Sequence, residues 1–165
     1  MTTKLALVGG TPVRARPFYG WPVIGEGDEE RLLQVFRSGK WWYGDKVREF
    51  EREFAAFQDA AYGVSCCNGT IALQLALQTV GVGPGDEVLV PAYTFIATAS
   101  AAYTVNAIPV FVDIDPDTWN MDLDAAETAI TPRTRAIMPV HFFGRPVDMD
   151  RVNELARRHN LKVVE

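Results

Sequence analysis

From residue 61 onward, short β-type runs alternate with helix-type runs, and this alternation constrains the fold more than any other feature of the chain. The β-type runs are apolar, and the connections between elements are short. Such an alternation is typical of right-handed βαβ units around a mainly parallel sheet. The sequence therefore predicts an α/β fold, with strands over residues 61–67, 86–92, 108–115, 135–141 and 161–165 and helices over residues 70–81, 94–106, 123–130 and 147–160.

The first 60 residues follow a different pattern. Residues 1–27 are rich in Gly and Pro and have no sustained period, which predicts an extended arm lying on the surface or on a partner. Helices are predicted over residues 28–38 and 45–60, the second with Asp45 as its N-cap. The predicted organisation is therefore an arm followed by one domain over residues 28–165.

Two of the predicted helices carry pronounced apolar faces. In the helix over residues 45–60, four apolar side chains share one face at helical spacing, and packing explains such a stripe better than a cofactor site does: Val47, Phe50, Phe54 and Phe57. The helix over residues 70–81 is apolar almost all round, with leucines and an isoleucine pointing in different directions. We therefore expect it to be buried rather than to lie on the surface.

Composition excludes several classes of protein. Hydrophobic residues make up 48% and charged residues 22% of the 165 residues, which is ordinary for a folded globular protein. The net charge of -5 argues against a general affinity for nucleic acid or for acidic membranes. The first ten residues do not resemble a signal peptide, and no run of apolar residues is long enough to span a membrane. We expect a cytoplasmic protein.

The step Asn68-Gly69-Thr70 lies where the first predicted strand turns into the apolar helix. Free backbone N–H groups and the positive end of the helix dipole gather at such a step, and this arrangement binds anions. Glycine permits close approach of a ligand to the backbone, and the Thr70 hydroxyl adds a donor. An ordinary N-cap by Asn68 or Thr70 explains the same letters, so both interpretations stay open.

Other candidate residues follow later strands. Phe95, after the second strand, could lie flat on a planar cofactor or belong to the core. His141 ends the fourth strand, where its ring could face a ligand or be purely structural. Asp113 and Asp115 precede a proline, which favours turn formation over a pair of catalytic carboxylates.

Cys66 and Cys67 are adjacent, and the ring that a disulfide between neighbours would close is strained. Two thiols with no His or second Cys pair close in sequence also make a poor zinc site. We expect them to be small buried side chains, and a metal or redox protein built on them is the weakest alternative.

Four blocks of the sequence together resemble the DegT/DnrJ/EryC1/StrS family of pyridoxal-phosphate aminotransferases. They occur in the family's order and spacing, and the arm and the segment "SGKWWYGDKVREFEREFA" match as well: "SCCNGTIALQLAL", "GVGPGDEVLVPAYTFIATASA", "IPVFVDIDPDTWNMD" and "PVHFFGRPVDMD". The resemblance implies the aspartate-aminotransferase fold (fold type I), in which each subunit has a large α/β domain and a small C-terminal domain. Two such subunits form a homodimer, with the active sites at their interface.

The resemblance also implies roles for individual residues. Gly69 and Thr70, with Asn68 less securely, match the step that holds the phosphate of pyridoxal 5'-phosphate. Phe95 matches the aromatic residue that stacks on the pyridine ring, and His141 falls in a motif near the cofactor. The loop with the substrate-region candidates Trp41, Trp42 and Tyr43 is similar to one that lines the substrate.

The implied reaction moves an amino group from glutamate or glutamine to a keto group of a nucleotide-linked sugar or a cyclitol, in antibiotic or cell-surface polysaccharide biosynthesis. No metal is implied. Transamination needs a Schiff-base lysine and an aspartate at the pyridine nitrogen. In the family both follow these blocks, at positions beyond Glu165. The chain therefore matches the N-terminal part of the large domain, without a catalytic residue of its own, and we expect it not to transaminate by itself.

Two further functions stay open. A few members of the family use the cofactor for sugar dehydration, with a histidine in place of the lysine, and the deciding residue would lie beyond Glu165. The chain could instead be a non-catalytic module that binds a phosphate or a cofactor. Such a module would expose a sheet edge and apolar helix faces, which predicts self-association.

Overall fold

The computed structural model describes residues 4–165 and divides the chain into two compact units, Met1–Gly63 and Val64–Glu165. In the first unit, residues 4–27 form only a short 3-10 turn at Ala6–Val8, and their side chains are exposed apart from the partly covered Gly10. The first three residues of the predicted arm lie outside the described residues. The division into an arm over residues 1–27 and a domain over residues 28–165 stays a prediction.

Two helices make up the rest of the first unit: α1 (Asp28–Ser38) and α2 (Asp45–Phe57). Helix α1 has three acidic residues in its first turn and ends at Gly39, whose positive φ of 68° suits glycine. The N-cap of α2 is Gly44, so the prediction of Asp45 as N-cap is wrong by one position. Asp45 instead begins the first turn, where its carboxylate faces the positive end of the helix dipole.

The aromatic stripe of α2 is only partly packed. Phe50 and Phe54 stack on each other with ring centroids 5.5 Å apart, yet both remain at least half exposed, and Phe57 is 80% exposed. Ala55 is the single buried residue among those described in this unit. The three rings of the stripe are therefore mostly exposed, against the prediction that they pack, and Val47 is the partly buried member.

The second unit is built on a parallel sheet of four strands in the order β2-β1-β3-β4. Its elements follow the predicted alternation: α3 (Gly69–Thr79), β1 (Glu87–Pro91), α4 (Ala97–Thr104), β2 (Ile108–Val112), α5 (Leu123–Thr128), β3 (Thr134–Ile137), α6 (Met149–His159) and β4 (Lys162–Val163). Strand β1 is central, and all five of its residues are buried. The predicted α/β class with a parallel sheet is confirmed.

Alternating residues of the strands point into two separate cores. Val88, Val90 and Met138 pack with helices α3 and α4 on one face of the sheet. Leu89 and Ile137 pack with α5 and α6 on the other face. This side-to-side alternation follows from the period of two in an extended strand, and it produces three layers with the sheet in the middle.

Three predictions about the start of this unit are wrong. Residues 61–67 form no strand, because the edges of the described sheet are β2 and β4 and this segment pairs with neither. Helix α3 is only partly buried: Leu77 is fully covered in the cluster that α3 shares with the sheet and α4, while Leu75 is 41% exposed. Cys66 is half-buried and Cys67 exposed, so the cysteines are not core residues.

The acidic segment after β2 forms a turn, as predicted. The Asp115 carboxylate accepts the N–H groups of Asp117 and Thr118 at 3.0 and 2.7 Å. These hydrogen bonds, that of Thr118 first, lower the pKa of Asp115. Asp113 accepts the N–H of Ile114 at 2.8 Å, so both carboxylates are used by the turn.

Candidate functional site

Asn68 caps helix α3 and determines which of its first amide groups remain available. The Asn68 Oδ1 atom accepts the N–H of Ile71 at 3.0 Å, and the Asn68 carbonyl accepts that of Ala72 at 3.1 Å. The first N–H groups of a helix have no partner inside the helix. Those of Gly69 and Thr70 therefore point out of the helix end, without an acceptor among the residues that the structure describes.

The space in front of this helix end is open. A Cβ atom added to Gly69 would meet no atom within 4 Å, and the Thr70 hydroxyl has no hydrogen-bond partner within residues 4–165. Two amide donors and one hydroxyl, without partners among the described residues, thus lie in the first turn of an eleven-residue helix, at the positive end of its dipole. This donor set suits a phosphate group, and the Asn68 side chain is the member of the predicted trio that is already engaged as a cap.

Phe95 and His141 follow the carboxyl ends of neighbouring strands β1 and β3, and ring contacts join their loops. The Tyr93 and Phe142 rings lie 4.8 Å apart between centroids, and Trp119 contacts both at 5.7 and 6.1 Å. Phe95 itself is 75% exposed, so most of its ring surface is accessible to a planar ligand. Helix α3 reaches β1 through a short connection, which places its first turn toward the same edge.

Both ring nitrogens of His141 have partners. The N–H of Val147 donates to Nδ1 at 3.0 Å, so Nδ1 is the acceptor and the ring proton of the neutral imidazole lies on Nε2. Nε2 lies 3.0 Å from Oε2 of Glu165 and can donate to it. His141 is therefore held in one orientation at the edge where the loop after β1 also lies.

Asn120, which was not among the sequence-based candidates, makes side-chain hydrogen bonds to the loop after His141. Asn120 is 6% exposed, and its amide contacts the backbone of residues 142, 145 and 146. In the sequence, Asn120 is marked only as a polar residue two positions before Asp122, which is the N-cap of α5. Nothing in the local sequence says that its partners come more than twenty residues later.

The substrate-region candidates lie in the first unit, in the loop between α1 and α2. Trp41 stacks on Phe36 at 5.8 Å, Trp42 is 88% exposed, and the Tyr43 hydroxyl donates to Glu51 at 2.8 Å, which raises the pKa of Tyr43. Trp41 and Trp42 line a cavity of about 340 Å³ together with residues of both helices. The structure brings these three residues together with one another.

Among the described residues, three lysines belong to the first unit and Lys162 belongs to the second. Lys40 pairs with Asp45 at 3.1 Å and Lys46 with Glu49 at 2.7 Å, both in the first unit. Lys162 begins β4, at the amino end of that strand. Lys4 is exposed in the N-terminal segment. No cluster of metal-binding side chains is found within residues 4–165, and the two cysteines there are free thiols.

A parallel α/β sheet with an open helix end is typical of ligand-binding domains, and comparison with known proteins gives the family. Residues 22–165 match the model of the DegT/DnrJ/EryC1/StrS aminotransferase family, and the chain belongs to that family. A similar curated protein is the L-glutamine:2-deoxy-scyllo-inosose aminotransferase of Streptomyces kanamyceticus, 43% identical over 99% of this chain and 40% of the relative.

Solved structures agree with this assignment. The crystal structure of 3-amino-5-hydroxybenzoic acid synthase superimposes with a TM-score of 0.86 at 44% identity, over 91% of this chain and 40% of that protein. The PLP form of Spr1654 from Streptococcus pneumoniae superimposes with a TM-score of 0.81 at 38% identity, over 87% of this chain and 36% of that protein. The predicted family and the fold type I architecture are confirmed, and the chain spans about two fifths of the length of its curated relatives.

The family's solved members include forms with PLP and with PMP, so pyridoxal phosphate is the cofactor of the family. In the part of the chain that the structure describes, no helix combines the length and the apolar character needed to cross a membrane.

Proposed function

We propose that the chain forms the N-terminal part of the large domain of a pyridoxal-phosphate-dependent aminotransferase. The substrate class that we propose is a keto group on a cyclitol or a nucleotide-linked sugar, with glutamine or glutamate as amino donor. The carrying observation is the open N-terminus of α3, where the N–H groups of Gly69 and Thr70 and the Thr70 hydroxyl lack acceptors among the described residues. Family membership and the glutamine-dependent relative support the reaction class.

In this proposal the residues of the chain bind and orient the cofactor. Gly69 and Thr70 donate hydrogen bonds to the phosphate, and the dipole of α3 favours its negative charge. The exposed ring of Phe95 covers one face of the planar ring system. His141, held by Val147 and Glu165, borders the same edge of the sheet. When bound, pyridoxal phosphate supplies the electron sink that amino-group transfer requires.

The three aromatic residues Trp41, Trp42 and Tyr43 are proposed to line the substrate region. Trp41 and Trp42 line the cavity in the first unit and present indole rings suited to packing on a flat or cyclic substrate, and Tyr43 follows them in the same loop. The lysine and the aspartate that the reaction needs are proposed to lie in sequence that follows residue 165 in the family.

Phosphate binding at α3 can be tested at single donors. Gly69 is the first helical residue, where proline is tolerated, and Asn68 before it is extended with φ -168° and ψ 169°. Gly69→Pro therefore removes one N–H while keeping the helix. We expect Gly69→Pro and Thr70→Val each to weaken binding of pyridoxal phosphate about tenfold or more, because each removes one hydrogen bond to a charged group. Amide NMR titration measures the affinity.

Thr79→Val is the matched control, because Thr79 ends the same helix and its hydroxyl donates to the Leu75 carbonyl. It should leave the affinity unchanged. Equal affinity of the wild type and Gly69→Pro would show that the helix end does not hold the phosphate. Borohydride should trap no lysine-linked cofactor on this chain, and a mass-shifted lysine peptide would contradict the proposed absence of a catalytic lysine.

We further propose that the protein acts as a homodimer. Strand β2 lies at an edge of the described sheet, and its residues Ile108 and Phe111 are 46% and 61% exposed. Exposed apolar side chains beside an open strand edge favour association with further protein surface. Sedimentation velocity should show self-association of the chain at micromolar concentration. A monodisperse monomer would favour a self-contained binding module.

A further inference from the structure

Asn120 is a buried polar side chain whose hydrogen bonds all reach across the chain. Its Nδ2 group donates to the carbonyl oxygens of Arg145 and Pro146 at 3.2 and 3.1 Å. Its Oδ1 atom accepts the N–H of Phe142 at 3.2 Å. The amide thus uses both faces on one loop, residues 142–147, which lies more than twenty positions later in the sequence.

The backbone of Asn120 is itself held in the segment between β2 and α5. Its carbonyl accepts the N–H of Asp115 at 2.9 Å, and its N–H donates to the Thr118 hydroxyl at 3.3 Å. The next residue, Met121, is 3% exposed and forms a β-bridge with Ile114. Since the backbone of Asn120 is anchored on both sides, its side chain can hold the loop after β3 in place rather than follow it.

The held loop brings a specific donor back to His141. Val147 lies at the end of the loop, packs into the core beside Leu89 and Ile137, and directs its N–H at His141 Nδ1. Because Nδ1 accepts that hydrogen bond, the ring proton lies on Nε2, which contacts the Glu165 carboxylate. If the loop opened, Nδ1 would lose its donor and neither tautomer would be selected from that side.

We propose that Asn120 is a positioning residue for His141: it closes the loop 142–147 so that the imidazole keeps one orientation and the Nε2–H tautomer. The importance of this tautomer for a bound cofactor rests on the proposed function. The effect of Asn120 on the His141 ring does not rest on the proposed function, because all the groups involved belong to this chain. Asn120 acts through the loop and is not itself a catalytic residue.

Imidazole nitrogen NMR tests the step directly. In the wild type we expect one set of His141 signals, those of the Nε2–H tautomer. Asn120→Asp keeps the size and the acceptor but replaces the two-proton donor, leaving a carboxylate against two carbonyl oxygens. We expect this variant to show averaged signals of both tautomers. Asn153→Asp makes the same change on the exposed face of α6 and should retain the wild-type spectrum.

An Asn120→Asp protein that folds and keeps a pure Nε2–H signal would overturn the proposal, as would a wild type without that tautomer. Asn120→Ser, which retains a shorter donor, replaces Asn120→Asp if the latter does not fold. Hydrogen exchange on the wild type provides a test that needs no variant. The Asn120 side-chain amide and the Val147 N–H should open together, and tenfold lower protection of Val147 would contradict the proposed link.

The two proposals can fail separately. The NMR and exchange measurements are made without cofactor, so they report only on the loop. A wild type that never binds pyridoxal phosphate but shows the expected tautomer switch would refute the proposed function and support the role of Asn120. Normal cofactor binding with an unchanged tautomer in Asn120→Asp would do the reverse.

Discussion

The two units of the chain are stabilised in different ways. In Val64–Glu165, two buried clusters lie on opposite faces of the sheet, and hydrogen bonds join residues that are far apart in sequence. In the described part of Met1–Gly63, the ion pairs join residues at most five positions apart, and the large side chains of both helices remain exposed.

This difference shows that helix amphipathicity and helix burial are separate properties. Helices α1 and α6 both have one apolar and one charged face. Val152 and Leu155 of α6 are buried against the sheet, whereas Leu32 and Phe36 of α1 are 70% and 65% exposed. An apolar face contributes to stability only where another surface covers it.

The largest expected effect on stability comes from a leucine-to-alanine substitution in the second unit, which we compare with the same substitution in the first unit. Leu89 is fully buried in the central strand, and Leu32 lies on α1. We expect Leu89→Ala to lower the free energy of unfolding by about 2–5 kcal/mol, because it removes buried methyl groups and leaves a cavity. Leu32→Ala should change it by about 0.5 kcal/mol or less. Hydrogen exchange of each unit measures both, and similar costs would remove the distinction between the units.

Glu87 provides the next largest effect, at a buried polar position of the second unit. Its carboxylate, 4% exposed as a residue, contacts Thr131, Arg133 and Thr134. The Thr131 hydrogen bond is the main cause that lowers the pKa of Glu87 from 4.5. We expect Glu87→Gln to cost about 1–3 kcal/mol at neutral pH, because an amide replaces the ionised acceptor.

The lowered pKa of Glu87 also determines the sign of the pH dependence. The stabilisation by the ionised carboxylate is complete above the ordinary value of 4.5 and is lost as the pH falls through the lower folded value. The difference between the wild type and Glu87→Gln should therefore be constant near neutral pH and shrink in acid. Urea denaturation from pH 3 to 7 checks this, and a difference that grows in acid would contradict it.

A smaller effect is expected at the N-cap of α3, where the contacts of the second unit are local like those of the first. Asn68→Ala removes the acceptor for the Ile71 N–H and should cost about 1 kcal/mol. Asn68→Asp keeps the acceptor and should cost much less. Thermal or chemical denaturation compares the two variants, and equal costs would show that the cap hydrogen bond is not what Asn68 contributes.

The smallest effect concerns an exposed ion pair of the first unit. The Lys40 ammonium group donates to the Asp45 carboxylate at 3.1 Å, and this hydrogen bond is the main cause that lowers the pKa of Asp45 below 3.8. Lys40→Met should raise the Asp45 pKa back toward 3.8, as followed by NMR titration of the side-chain carbonyl. High salt should have the same direction of effect in the wild type, since exposed pairs are screened. An unchanged pKa would exclude Lys40 as the cause.

Most of the sheet and its helices could be predicted because each element carries its own signal. The buried run at 87–91 and the amphipathic pattern of α6 need no distant partner to be read. The wrong predictions concern segments whose structure or burial depends on contacts with another part of the chain. Residues 61–67 have the composition of a strand, but a strand exists only when a neighbour pairs with it. The burial of the two cysteines and of α3 likewise depends on which other elements pack against them, and the local sequence does not specify this.

The candidate site likewise contains residues that the sequence could indicate and a residue that it could not. Gly69 and Thr70 could be chosen as candidates from the sequence because a helix start makes amide donors available wherever it occurs, and their role in binding stays a prediction. Asn120 could not, because its partners follow by more than twenty residues and come within reach only when the loops after β2 and β3 lie side by side. Whether the Asn68 side chain caps the helix or is available to a ligand could likewise be decided only from its hydrogen bonds in the structure.

By itself, the sequence determined the order of the helices and of the four strands from β1 onward, the parallel α/β class and the helix end with its free donors, since these follow from local periodicity and backbone geometry. The tertiary structure alone decided that α1 and α2 leave apolar faces exposed in the first unit and that Asn120 holds the His141 loop. The physical reason is that burial and long-range hydrogen bonds depend on which surfaces pack together in the folded chain, and the local sequence pattern does not specify those tertiary contacts.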